Sequence, residues 1–297
     1  MFCGEHMIQT LANALVSASA YLMVGLGFLL IYHTIRFFHF AHGAVFTIGA
    51  YATFTLKVWG GLPLPFSMLG GIIVGTLVGA AMEFGVYKPM RKKRASFTGM
   101  LLVSLGIYIT LQSMLAMIFG SGTQTFRGGH ITETFSCFGA NFTWPRIYLI
   151  ITSLTCCILM WLFLRNTKIG KSIRAVANDP ELAEVSGLNR DQIILVVFLV
   201  GSALASIAGI FFAWDADMTP TMGFRALLMG MIAVIIGGVG SLPGAALGAL
   251  FLGLAQHLTA WWISTAWQDT GLFIILIMFL VLRPQGFIAK PSVKGKV

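Results

Sequence analysis

The side chains best suited to chemistry in this chain are a pair of histidines set in apolar sequence. His39 and His42 are three residues apart, so they would share one face of a helix. They do not by themselves make a metal site, because no Cys or carboxylate nearby completes a ligand set. Two interpretations remain, capping of a helix at an interface or, with Gly43, a helix break beside a polar passage. The second is our prediction.

A glycine-rich turn is the other conspicuous motif. The sequence GGVGSLPG contains Gly237, Gly238, Gly240 and Ser241, but it lacks the Lys-Ser/Thr that follows the last glycine of a phosphate-binding loop. We therefore predict a helix break with close backbone packing, beside the same passage. The sequence also lacks a nucleophile–base arrangement. We expect a non-catalytic protein whose own chain binds no cofactor and no metal.

A single carboxylate, Glu83, lies in an otherwise apolar run. Ionisable residues within membrane spans are costly and often mark function, for example in proton relays. Glu83 is close to the basic sequence that starts at Lys88, so a local ion pair with Arg91 or Lys88 is the prediction.

These residues must be positioned by membrane helices. The chain of 297 residues is 57% hydrophobic and only 10% charged, whereas soluble domains carry about 25% charged residues. We predict an all-α, polytopic membrane protein with eight to nine hydrophobic segments, some of them broken or half-spanning. The segments are Met7–Ile31, Ala44–Leu56, Leu64–Val86, Gly99–Phe119, Arg146–Leu164, Gln192–Trp214, Ala226–Ile236, Gly244–Trp262 and Gly271–Leu282. Ala44–Leu56 and Ala226–Ile236 are the candidates for half-spans.

The distribution of cations predicts the orientation. Only Lys57, Arg127, Arg146 and Arg225, of 19 Lys and Arg, fall on one side of the predicted segments. The other side is therefore cytoplasmic, with the N-terminus outside and the C-terminus inside. The same pattern explains the net charge of +9 without nucleic acid as a partner. We treat 1–297 as one transmembrane domain with a loosely ordered basic tail, 283–297. On the outer side, we expect Asp215 and Asp217 to be solvated or to contact a partner.

One long polar segment, 165–191, interrupts the apolar sequence on the cytoplasmic side. Within it, Asp179 suits a helix N-cap, Pro180 the first helical position, and Gly187 a left-handed C-terminal residue. Such a short helix is marginal in isolation, so it must dock on something. We predict a lever between the membrane part and a cytoplasmic partner, formed by Ala177, Asn178, Asp179, Pro180, Glu181, Ala183, Glu184 and Gly187.

Two Gly/Pro-rich breaks, Trp59–Pro65 and Gly237–Gly244, each precede a Gly-rich helix. Matching interrupted segments are typical of transporters with internal repeats. An internal duplication is therefore compatible with this sequence.

Four segments together carry a resemblance to a known family. They are RFFHFAHGAVFTIGAY (36–51), RAVANDPELAEVSGLN (174–189), IGGVGSLPGAA (236–246) and RPQGF (283–287). Over nearly its whole length the chain resembles the permease subunits of bacterial branched-chain amino acid ABC transporters. The resemblance implies an inner-membrane importer subunit with a second permease subunit, two ATP-binding subunits that hydrolyse ATP, and a periplasmic solute-binding protein. It also implies that 177–187 is the helix that couples the permease to an ATPase.

Two departures from the family pattern bear on the substrate. His39 stands where Asn is usual, and the run Met229–Ala233 lacks a Lys that many members carry before the glycine-rich break. Urea or short amides are therefore alternative substrates. A stand-alone secondary transporter or channel is the alternative function, and it would need ion-coupling acids within the membrane.

Overall fold

The computed structural model describes residues 2–126, 134–137, 139–283 and 285–288, and helices dominate this part of the chain. The helices are α1 (Phe2–Ile35), α2 (Ala41–Phe54), α3 (Leu64–Met82), α4 (Lys88–Lys92), α5 (Phe97–Phe119), α6 (Trp144–Asn166), α7 (Lys168–Asn178), α8 (Pro180–Val185), α9 (Arg190–Asp215), α10 (Met222–Gly237), α11 (Leu242–Trp262) and α12 (Gln268–Leu282). Two π-helical turns, Thr55–Trp59 and Glu83–Tyr87, continue α2 and α3, and a 3-10 turn, Thr265–Trp267, precedes α12.

Seven helical stretches are long and apolar enough to cross a membrane: His6–Ile35, Leu64–Lys92, Phe97–Phe119, Trp144–Asn166, Arg190–Asp215, Leu242–Trp262 and Thr265–Leu282. Two further apolar helices are shorter, α2 with 14 residues and α10 with 16. At 1.5 Å per residue α10 is about 24 Å long, less than a hydrocarbon core of about 30 Å, whereas α2 with its π-helical continuation reaches about 28 Å. The predicted all-α membrane fold is confirmed. Of the two segments predicted as half-spans, only the one in α10 forms a helix much shorter than the membrane core.

Helices α1 and α9 form the centre of the bundle, and both are largely buried. Small residues allow the close packing. Gly75 and Gly79 of α3 lie against Ser206 and Ser202 of α9. In lipid, where burial of apolar side chains gives no net drive for helix association, such small contacts let backbones approach and gain dispersion energy.

The basic residues that follow α3 continue in a helix, whereas the sequence predicted that the span would end at Val86. The π-helical turn Glu83–Tyr87 leads directly into α4. Pro89 lacks an N–H, and a π-helical turn accommodates the missing hydrogen bond. The helix then ends near Arg94, which has a positive φ of 53°.

A short β-hairpin lies between α5 and α6, where only a polar connection was predicted. Strands β1 (Thr134–Cys137) and β2 (Ala140–Thr143) pair antiparallel, with Thr134 opposite Thr143. Arg127, which entered the charge count, lies outside the described residues.

Two expectations about polar segments were wrong. Asp215 is not simply solvated, because the Arg146 Nε donates to its Oδ1 at 3.0 Å and the Thr143 hydroxyl to the same oxygen at 3.1 Å. The start of the tail is not loose either. The Phe287 N–H donates to the Ile236 carbonyl oxygen at 2.9 Å, which satisfies an acceptor at the end of α10. Residues 289–297 lie outside the described part.

Candidate functional site

The predicted histidine pair lies at the start of α2, deep in the bundle. Both imidazoles are fully buried. The His39 Nδ1 is 3.0 Å from the Tyr87 hydroxyl oxygen, and neither ring nitrogen of His42 has a hydrogen-bond partner among the described residues. A Cβ added to Gly27 would lie 2.8 Å from the His42 ring. Because Gly27 is about 12 Å from the end of α1, His42 sits well inside the membrane.

Gly43 marks the point where the two short helices meet. A Cβ added there would lie 2.7 Å from the carbonyl oxygen of Gly223, in the first turn of α10. Only glycine permits so close a backbone contact at this position. The first turns of α2 and α10 therefore touch inside the membrane. Such interrupted helices are tolerated where they are buried in protein or line a cavity.

A cavity of about 410 Å³ adjoins this contact on the side of the α9–α10 loop. Its apolar wall consists of Ala20, Val24, Phe46, Phe212, Met222, Ala226 and Met229. Its polar lining consists of Tyr21, Asp217, Thr219, Thr221 and Arg225. The cavity thus combines one apolar wall with charged and hydroxyl groups, which is the arrangement that fixes the orientation of an amphipathic small molecule.

The charges at this cavity were not among the predicted site residues. The Arg225 Nη2 donates to the Asp269 Oδ1 of α12 at 2.8 Å, and the two side chains are 61% and 45% exposed. The Tyr21 hydroxyl donates to the Gln256 Oε1 at 2.5 Å. In the sequence, Arg225 is an isolated basic residue before an apolar segment. Its partner, Asp269, is 44 residues away, so no local pattern indicated the pair.

The predicted glycine-rich break lies between α10 and α11. Gly238 and Gly240 have φ values of +104° and +97°, which explains the need for glycine there. The Ser241 Oγ caps α11 by accepting from the Gly244 N–H at 3.1 Å. A Cβ added to Gly240 would lie 3.0 Å from the His33 ring, near the end of α1.

The two groups of predicted passage residues do not meet. His39 and His42 are close in sequence to Gly43, which lies against the first turn of α10. Gly237, Gly238, Gly240 and Ser241 lie at and beyond its last turn. The 16 residues of α10 separate them by about 24 Å. They are therefore two separate places along α10.

The predicted cytoplasmic helix is α8, and its caps have the predicted geometry. The Asp179 Oδ1 accepts from the Glu181 and Leu182 N–H groups at 3.1 and 3.0 Å. At the other end, the Gly187 and Leu188 N–H groups donate to carbonyls of Glu184 and Ala183, both at 3.0 Å, with Gly187 at φ +84°. These paired bonds are those of a Schellman motif. Ala177 and Asn178 end the preceding helix instead of joining α8.

A second helix, α7, was not predicted within the polar segment. The Thr167 hydroxyl accepts from the Gly170 N–H at 2.9 Å and caps it. Its buried face, which includes Ile173 and Val176, packs on the bundle. The Arg36 Nη2 donates to the Ala177 carbonyl oxygen at 3.1 Å, which ties the end of α1 to the end of α7. The pattern of apolar residues three and four apart would have revealed this helix.

The outer face of α8 is apolar and exposed. Leu182 is 63% and Val185 85% exposed, whereas Ala183 faces the protein and is buried. A short helix outside the apolar spans that exposes two large apolar side chains has the form of a docking element.

An ionic cluster connects α4 to the first turn of α9. The Arg91 guanidinium forms a bidentate pair with the carboxylate of Glu83, with 2.9 Å between Nη1 and Oε2. Its Nη2 is also 3.5 Å from the Asp191 Oδ1, and the Lys88 Nζ is 3.5 Å from the Asp191 Oδ2. The predicted local pairing of Glu83 is confirmed. Through Arg91 it extends to α9, the helix that follows α8.

Replacement of Asp179 by alanine should loosen the start of α8. The loss of both cap hydrogen bonds should cost about 1 kcal/mol and speed amide exchange at Glu181 and Leu182 roughly fivefold. Hydrogen exchange followed by mass spectrometry measures this. Glu181→Gln, which removes a nearby charge but no cap bond, is the matched control. Equal exchange in the two variants would contradict the capping role.

Among the described residues, no group of three His, Cys, Asp or Glu side chains is placed to hold a metal ion. The structure instead places an amphipathic cavity near one end of the bundle and a capped helix with an exposed apolar face near the other.

Comparison with known proteins identifies relatives over nearly the whole chain. LivH of Salmonella typhimurium strain LT2, a high-affinity branched-chain amino acid transport system permease protein, is 29% identical, with 97% of each chain covered. BraD of Pseudomonas aeruginosa, which carries the same description, is 30% identical, with 97% of this chain and 98% of BraD covered. FrcC of Rhizobium meliloti, a fructose import permease protein, is 28% identical over 77% of this chain and 65% of its own length.

A solved structure shares the fold. The structure of PsaBC from Streptococcus pneumoniae in complex with Fab aligns with a TM-score of 0.54 at 11% identity, over 94% of this chain and 92% of that one. Residues 10–282 match the family model described as "Branched-chain amino acid transport system / permease component". The chain belongs to this family of membrane permease subunits.

Proposed function

We propose that the chain is the membrane-spanning subunit of an ATP-driven importer in a bacterial inner membrane, and that its substrates are amino acids with apolar side chains. The family and the relatives LivH and BraD support this class of substrate. The C-terminus lies in the cytoplasm in this proposal, as the charge asymmetry indicates.

The observation that carries the proposal is the composition of the cavity beside the α2–α10 contact. A branched-chain amino acid has a carboxylate, an ammonium group and an apolar side chain. The Arg225 guanidinium suits the carboxylate, and Asp217 offers negative charge near the ammonium. Phe46, Phe212 and the other apolar residues of the wall suit the side chain. Urea and short amides have no carboxylate and would not need Arg225.

In this proposal, ATP hydrolysis on the partner subunits is coupled to the membrane helices through α8. One of the two ATP-binding partner subunits would hold it through Leu182 and Val185, the exposed apolar side chains of a helix capped at both ends. Movement of α8 would pass to α9 through the connection at Leu188 and Asn189, and to α4 through Asp191 and Arg91. A second permease subunit and a periplasmic solute-binding protein complete the complex in this proposal.

The test of substrate recognition is uptake of radiolabelled leucine by the assembled complex in proteoliposomes. Arg225→Gln should lower uptake about 10- to 100-fold at subsaturating leucine, since a hydrogen bond to a charged group contributes about 1.5–3 kcal/mol. Because Arg225 is mostly exposed, the variant should assemble normally, and its basal ATPase rate should be unchanged.

Asp269→Asn is the matched control. It removes the resting partner of Arg225 but leaves the guanidinium for a substrate carboxylate. Uptake should stay within about twofold of wild type, because a pair this exposed contributes little to stability. Leucinamide, which lacks the carboxylate, should compete equally well in Arg225→Gln and wild type. Equal losses in the two variants, or wild-type uptake in Arg225→Gln, would refute this role of Arg225.

The alternative of a stand-alone secondary transporter depended on Glu83 as an ion-coupling acid. Glu83 is 1% exposed and held by Arg91 in a bidentate pair. This arrangement favours a structural role for Glu83.

A further inference from the structure

A second cavity, of about 280 Å³, lies at the opposite end of the bundle from the amphipathic cavity. Its apolar wall is formed by leucines of α1, including Leu26 and Leu30, and by Met160 and Leu164 of α6. Its floor includes the start of α11 at Ser241 and Leu242. The function proposed above makes no use of this cavity.

The charged lining of this second cavity is entirely basic. His33, Arg165 and Arg174 line it from α1, α6 and α7, and no residue that lines it is acidic. The guanidinium carbon of Arg165 lies 4.9 Å from the centre of the Trp161 ring, which also lines the cavity. Three cationic or titratable groups from three helices thus converge on one apolar space, which suits an anion with an apolar attachment.

The cavity lies where a lipid headgroup would lie. Most of α6 is exposed, as expected of a helix that faces lipid, and Trp161 in its last turns is 41% exposed. Tryptophan is enriched at the membrane–water interface, and arginines on the cytoplasmic side interact with anionic lipids. In the orientation proposed above, Arg165 and Arg174 belong to the cytoplasmic leaflet.

We propose that this cavity binds the phosphate group of an anionic phospholipid from the cytoplasmic leaflet. The two arginines would hold the phosphate, and the acyl chains would follow the apolar wall along α6. The lipid would then join the end of α6, helix α7 and the turn at Gly240, so that it would stabilise the segment that leads into α8. A free phosphate ion shares the headgroup chemistry but has no use for the apolar wall.

The test is photolabelling of the assembled complex in nanodiscs with a phosphatidylglycerol analogue that carries a diazirine near its glycerol backbone. Labelled peptides should map to residues 160–174. Unlabelled phosphatidylglycerol should compete, whereas phosphatidylcholine and inorganic phosphate should not. Each arginine that hydrogen-bonds the phosphate should contribute about 10-fold or more to affinity, so the double variant Arg165→Gln/Arg174→Gln should bind at least roughly 100-fold more weakly.

The matched control is Lys168→Gln/Lys171→Gln, which removes the same charge from exposed positions of α7 that do not line the cavity. Its labelling should fall by no more than about 25-fold, since only the general surface attraction of two lysines is removed. Equal losses in the two double variants would overturn the site. Equal competition by inorganic phosphate would overturn the lipid assignment. Labelling of other α6 peptides without residues 160–174 would show that a partner subunit covers the cavity, and would also overturn the proposal.

Discussion

Replacement of Arg91 by methionine is expected to destabilise the protein strongly. The variant leaves the Glu83 carboxylate buried without its partner, and Glu83 is only 1% exposed. Removal of one member of a buried ion pair typically costs about 3–5 kcal/mol, because the remaining charge is uncompensated. The measurement is the thermal midpoint of the detergent-purified complex, together with the yield of monodisperse protein.

The double variant Glu83→Met/Arg91→Met separates the cost of an orphaned charge from the value of the pair. Apolar replacement of both partners is often neutral, so it should recover most of the lost stability. Lys88→Gln is the control for a surface charge, because Lys88 and Asp191 are 28% and 33% exposed and such pairs contribute about 0–1 kcal/mol. A double variant no more stable than Arg91→Met would contradict the interpretation.

The second large effect is expected at the contact between the first turns of α2 and α10. In Gly223→Val, the new side chain would overlap the carbonyl of Gly43, which is backbone and cannot rotate away. Overpacking of a close contact costs about 1–3 kcal/mol or more, and here it would also displace the residues beside the amphipathic cavity. We expect a lower thermal midpoint and a loss of leucine uptake that exceeds the loss of folded protein.

Gly106 of α5 supplies the control for the glycine substitution. A Cβ added there meets no atom within 4 Å, so Gly106→Val should leave the thermal midpoint and uptake close to wild type. Gly223→Ala should show an intermediate effect. If Gly223→Val transports leucine normally, the close contact between α2 and α10 is not needed for transport.

The parts that could be predicted from the sequence are those with local causes. Asp179, Pro180 and Gly187 specify the ends of α8 within nine residues, and each has the predicted geometry. The apolar segments were found because a membrane span needs a continuous run of apolar residues. Glu83 and Arg91 are two helical turns apart, so their ion pair could also be predicted from the sequence.

The parts that could not be predicted depend on contacts between distant segments. Asp215 pairs with Arg146, 69 residues away, and Arg225 pairs with Asp269, 44 residues away. No local sequence pattern indicates either pair. The meeting of Gly43 with Gly223 likewise requires the packed bundle. The sequence predicted a helix break at Gly43, whereas the structure places it in the first turn of α2 and shows what lies opposite it.

The exposed apolar face of α8 has a consequence for the life of the protein in the cell. Leu182 and Val185 are the kind of surface that chaperones and proteases recognise in unassembled subunits. A copy made in excess of its ATP-binding partner would present that face to the cytosol, and a copy in the complex would not. Helix α8, which we propose receives the force of ATP hydrolysis, would then also distinguish assembled from unassembled subunits. The amount of the ATP-binding partner would limit how much of this chain escapes degradation.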